Sequence, residues 1–61
     1  LTDVPDELAA ALAAAPDAAA RFEALPPSHR REYVRWVAEA KKPATRVSRA
    51  EKTVARLRGE A

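Results

Sequence analysis

SHRREYVRWVAEAKKPATRVSRAEK, residues 28–52, reads as two helices broken by a single proline. It holds the only Trp, the only Tyr, the only His and eight of the eleven Lys and Arg residues. Tyr33, Trp36, Val37 and Ala40 recur at spacings of three, four and seven, which places them on one helical face. Arg31, Arg35 and Lys42 fall opposite. Ser28 is a good N-cap, so the spacing predicts a helix from Ser28 to about Lys42. Glu39 lies one turn beyond Arg35 and is placed to pair with it. Lys41 and Lys42 suit the negative C-terminal end. Pro43 then ends the run. Inside a helix it would remove a ladder bond and clash with the preceding turn, costing about 3 kcal/mol. It is therefore predicted to separate two packed helices, an αα-hairpin. The second begins near Ala44 or Thr45, with Thr45 as cap, and ends near Arg58, with Gly59 just beyond. Val47, Ala50, Val54 and Leu57 form its apolar stripe. Arg49, Lys52 and Arg56 lie on its far side.

The rest of the chain follows the same punctuation. A helix is predicted from Pro5 to about Ala14, with Asp6 and Glu7 in its first turn and Leu8 and Leu12 inward. Val4 can staple onto it. Another runs from Pro16 to about Ala24, burying Ala18, Phe22 and Leu25, and Pro26 and Pro27 stop it. A single Gly and almost no apolar alternation argue against strands. The expected fold class is all-α: a small bundle of four short helices with a C-terminal αα-hairpin. The expected core is Leu8, Leu12, Phe22, Leu25, Tyr33, Trp36, Val37, Val47, Val54 and Leu57. Trp36 is its expected anchor, largely buried against the first and last helices, and Trp36→Ala should cost about 3–5 kcal/mol.

Sixty-one residues make one domain, residues 1–61. A chain this short buries only about 60% of the surface its unfolded form exposes. With no Cys and one His, neither disulfides nor a thiolate or histidine metal site can staple it, and no cofactor is expected. Absence of Cys suits a reducing, cytoplasmic setting. No signal peptide is visible, and no run approaches the roughly 18 apolar residues of a membrane span. The start at Leu1 without Met suggests a domain excised from a longer protein. The net charge of +2 conceals an asymmetry. Residues 1–25 carry one Arg against five acids, −4; residues 26–61 carry ten Lys or Arg against four acids, +6. That imbalance points to an anionic partner for the basic half, or to neutralisation of one half by the other.

Several pieces of the chain resemble one family: Val4–Pro5 with Leu8, then Phe22, LPPS at 25–28, YVRW at 33–36 and AKKPATR at 40–46. Over nearly its whole length the chain is similar to the bacterial YdeI/OmpD-associated, or bacteriocin-protection, domain. The resemblance implies a helical module that often follows a separate N-terminal domain. Such proteins often carry a branched aliphatic where this chain has Ala50, which implies a thinner seam in the last helix. The family name implies envelope stress or antimicrobial-peptide tolerance, with no defined reaction and no agreed ligand.

No constellation for catalysis stands out, so no catalytic residue is assigned and the chain is read as not an enzyme. Ser28–His29 are adjacent in sequence, a poor nucleophile–base geometry with no orienting acid, and the plainer reading of His29 is a half-buried structural residue. Glu32 and Glu39 sit among Arg31, Arg35 and Lys42 and read as surface ion-pair partners. Tyr33 and Trp36 could stack bases, but their face is the core face. The strongest candidate is the Pro43–Arg46 junction. A helix start there offers open amides to an anion, and Lys41, Lys42, Thr45, Arg46, Arg49 and Lys52 gather around it. The plainer reading is a tight corner whose Lys42 and Arg46 are solvated or pair with the acidic first helix. Arg31, Arg35 and Arg56 extend the basic face.

Two functions fit. One is a non-catalytic binding module whose basic face docks nucleic acid, an acidic protein or a lipid headgroup. Two short-linked helices hint at a helix-turn-helix, but the last helix lacks the Asn or Gln that read adenine, so nucleic-acid binding would be phosphate-driven. The other is a structural domain that joins an adjoining domain or self-associates through apolar edges of the Ala-rich first half.

Overall fold

Among the described residues, every helix starts on a proline or directly after one. In the computed structural model, which describes residues 4–59, the order is α1 (Asp6–Ala13), α2 (Pro16–Ala24), α3 (Pro27–Ala38) and α4 (Pro43–Leu57). Pro16, Pro27 and Pro43 occupy the first helical turn of α2, α3 and α4, and Pro5 and Pro26 are the N-cap residues of α1 and α3. Proline at the first helical position loses no bond and arrives with a helical φ. It also drives the residue before it out of the helical region. Lys42 accordingly sits at φ −91°, ψ 136°. Among the described residues there is no strand, and the fold is a small all-α bundle.

The same effect corrects two expected caps. Ser28 and Thr45 lie inside the first turns of α3 and α4, not at their N-caps, and no helix has a side-chain cap. α3 also ends at Ala38, short of the expected Lys42. Pro43 has no N–H to continue the ladder, and the extended Lys42 it imposes unwinds the residues before it. The Ala40 amide donates to the Val37 carbonyl at 3.2 Å, a tightened last turn. Pro43 does separate two helices, as expected. Gly59 follows α4 at φ 78°, the left-handed residue that closes a helix.

The core is small and lies mainly under α4, which packs on α1, α2 and α3. Leu8, Ala18, Val37, Ala50 and Thr53 are almost wholly enclosed, with Leu12, Phe22 and Leu57 beside them. Val4, Leu25, Tyr33, Val34, Trp36 and Val54 pack partly buried against this centre. Trp36 packs partly buried against the core, and its neighbour Val37 is the α3 residue that is fully enclosed. One expectation fails here. Val47 is 45% exposed, because α4 presents Arg46, Ala50, Thr53 and Leu57 to the bundle instead. The Thr53 hydroxyl donates to the Arg49 carbonyl at 2.9 Å, so its burial leaves nothing unsatisfied.

Arginines finish the helix ends. The last carbonyls of a helix have no partner within it and attract cations. Arg21 donates to the Leu57 carbonyl of α4 at 2.9 Å, and Arg30 to the Leu25 and Glu23 carbonyls at the end of α2 at 2.7 and 3.0 Å. Arg49 donates to the Trp36 carbonyl near the end of α3 at 2.7 Å. In a chain without disulfides, the bonds from Arg21 and Arg49, which join residues 36 and 13 positions apart, take over part of the stapling.

Candidate functional site

The structure divides the expected anion-binding residues into two groups. Arg46 belongs to the fold: its Nε donates to Glu7 Oε1 of α1 at 3.1 Å, with both side chains mostly enclosed. Arg49 belongs to it too. Besides its bond to Trp36, its guanidinium lies 5.3 Å from the Trp36 ring centroid, a cation–π contact. Arg49 is therefore half-buried against α3, not on the far side of α4. Its removal together with Arg46 would injure the bundle. Lys41, Lys42, Thr45 and Lys52 are exposed. Lys41 and Lys42 stand in the junction before α4, and Ala44 and Thr45 follow Pro43 with no side-chain cap on that helix start.

Arg31, Arg35 and Arg56 of the wider basic face are also exposed. Among the described residues, neither their side chains nor those of Lys41, Lys42 and Lys52 make an ion pair or hydrogen bond within the chain. The expected pairing of Glu39 with Arg35 does not form. Asp17 pairs with Arg58 at 3.2 Å, so the acidic first half does neutralise part of the basic half through Glu7 and Asp17.

An open groove lies between α3 and α4. Its volume is about 510 Å³, and His29, Glu32, Tyr33, Trp36 and Arg56 line it. The α3 residues are one face of one helix by spacing, and Arg56 closes the groove from α4. A second hollow adjoins it and shares His29 and Glu32, with Ser28, Arg31 and Arg35 completing its lining. His29 is exposed there and not half-buried as expected. The sequence placed His29, Glu32, Tyr33 and Trp36 within one or two turns of each other. That Arg56 stands across from them depends on how α4 is rotated against α3, which no local pattern encodes.

Among the described residues, no helix is long and apolar enough to cross a membrane, and no three His, Asp or Glu side chains converge as metal ligands. The family model described as bacteriocin-protection, YdeI or OmpD-associated matches residues 2–59 of the 61. No curated protein and no solved structure matches the chain.

Proposed function

We propose, from the premise that this chain belongs to the bacteriocin-protection, YdeI or OmpD-associated family, that it is a non-catalytic binding module whose basic helical face docks an anionic partner. The observation that carries this reading is the residue of charge left after folding. Arg21, Arg30, Arg46, Arg49 and Arg58 are engaged inside the bundle, whereas Arg31, Arg35, Lys41, Lys42, Lys52 and Arg56 remain exposed and unpaired among the described residues. Leaving that many like charges close together in a chain this small opposes compactness. A partner of opposite sign would relieve it. The family name suggests a setting in envelope stress or antimicrobial-peptide tolerance.

The test is polyanion binding across a range of salt, with polyphosphate, duplex DNA and anionic vesicles as probes. Lys41→Gln, Lys42→Gln and Lys52→Gln together should weaken binding and leave helicity unchanged, since none of the three has a partner to lose. On duplex DNA the logarithmic salt slope should fall by about 0.9 for each phosphate contact removed. Undiminished binding by the triple variant would turn the reading to the second one, a domain that joins protein to protein. The exposed Val47 on α4, with the exposed alanines of α1 and α2, favours that alternative.

A further inference from the structure

We infer that the α3–α4 groove is a peptide site, and that its occupant is an extended acidic segment carrying an apolar anchor residue. This rests on the anionic-partner reading and narrows it to one place and one chemistry. The floor is aromatic: Tyr33 and Trp36 are half-buried side chains whose remaining surface opens into the groove. Trp36 is held from behind, by the Arg49 guanidinium against its ring and the Arg49 bond to its carbonyl. A rigid aromatic with two χ angles is an inexpensive anchor surface, because little side-chain freedom is lost on binding. The rims are cationic. Arg56 stands on the α4 side, and Arg31 and Arg35 line the adjoining hollow on the α3 side. An apolar residue on the aromatic floor with acids reaching both rims satisfies all of these groups at once.

The shape and the remaining charge choose between ligand classes. The groove is open and continuous with its neighbour through His29 and Glu32, so a small molecule would stay largely exposed, whereas binding pockets for such ligands bury most of their surface. A chain-like ligand covers the length. Glu32 lies in both hollows, between the two cationic rims. A continuous phosphate backbone laid across the groove would pass this carboxylate and be repelled. A peptide can set its acids at the rims and a neutral residue in the middle.

The only Trp of the chain sits in the groove and reports on it directly. The probe is a short peptide with one phenylalanine flanked on both sides by glutamates, titrated while Trp36 emission is followed. Saturable change is expected, weakening with salt. It should be lost when the peptide's phenylalanine is replaced by alanine or its glutamates by lysines. Arg56→Glu should reduce affinity by about tenfold or more, as a charge reversal at a binding rim does. The Arg56 side chain makes no hydrogen bond or ion pair among the described residues, and circular dichroism would establish that the variant is folded. Arg56→Ala, with a smaller loss, serves as the second variant. Oligothymidylate should bind more weakly than the peptide, and Glu32→Gln should narrow that gap. No response of Trp36 to the peptide, an unchanged affinity in Arg56→Glu, or a preference for oligothymidylate would each overturn the assignment. Failure here with polyanion binding intact removes only the groove. Loss of polyanion binding in the lysine triple variant bears on the broader reading alone.

Discussion

Arg49 shows how one side chain can change role between sequence and structure. By spacing it belongs with Lys52 and Arg56 on a solvated basic stripe. In the fold it caps the end of α3 through the Trp36 carbonyl and covers the Trp36 ring. Hydrogen bonds from a charged donor contribute about 1.5–3 kcal/mol, and an exposed cation–π contact about 0.5–1 kcal/mol. Both are discounted here because Arg49 is only half-buried. Arg49→Ala is expected to destabilise the domain by about 1–3 kcal/mol, a cost that urea unfolding would measure. Arg49→Lys should recover only part of it, since an ammonium cannot lie flat over the ring and reach the carbonyl together. A neutral outcome for Arg49→Ala would return Arg49 to the solvated face. Arg46 is a weaker case of the same kind. Its bond to Glu7 joins α4 to α1, yet a partly solvated ion pair is worth at most about 1 kcal/mol.

At the scale of elements, proline placement decides where helices begin and glycine decides where the last one ends. α4 has an unfavourable cluster of Arg and Lys and no N-cap side chain, so its termini matter. Gly59 takes φ 78° with nothing within 4 Å of where a Cβ would stand. The cost of Gly59→Ala is therefore conformational and not steric. It should destabilise by about 1 kcal/mol, as a left-handed residue acquiring a side chain does. The expected signature is a lower midpoint in thermal unfolding with native helicity retained at low temperature. An unshifted midpoint would mean that the end of α4 frays before the bundle melts. α3 illustrates the limit of reading elements from residue types. Ala38, Glu39, Ala40 and Lys41 are all acceptable helix formers, yet the helix stops at Ala38 because of a residue further on.

For the whole molecule, size sets the scale of every effect. At about 0.05–0.15 kcal/mol per residue, a domain of this length has roughly 3–9 kcal/mol of stability. Leu8 is wholly enclosed where α1 meets the rest of the core. Leu8→Ala should cost about 2–5 kcal/mol and leave much of the protein unfolded. Trp36→Ala removes a larger side chain but one that is not fully enclosed. It is expected to cost less than Leu8→Ala, reversing the order that residue size alone implies. Urea unfolding of both variants, followed by circular dichroism because one lacks Trp, checks the order. Native Trp36 should also emit at a wavelength between those of buried and fully hydrated indole.

Helix number, helix starts to within a residue or two, and the αα-hairpin were legible in the sequence, since they follow from proline stereochemistry and apolar spacing, which act within a few residues. The family was legible by resemblance, through motifs such as LPPS at 25–28, YVRW at 33–36 and AKKPATR at 40–46. The split of the arginines into stapling and exposed sets was not. It depends on which carbonyls and carboxylates approach from elements as far away as Glu7 and Leu57. Nor was the rotation of α4 legible: Val47, Ala50, Val54 and Leu57 make as good a stripe as Arg46, Ala50, Thr53 and Leu57. Only packing against three helices at once, with Thr53 satisfied by its own helix and Arg46 by α1, turned Val47 outward. That rotation placed Arg56 opposite Tyr33 and Trp36. Local rules thus determined the elements, and the meeting of distant surfaces determined the groove.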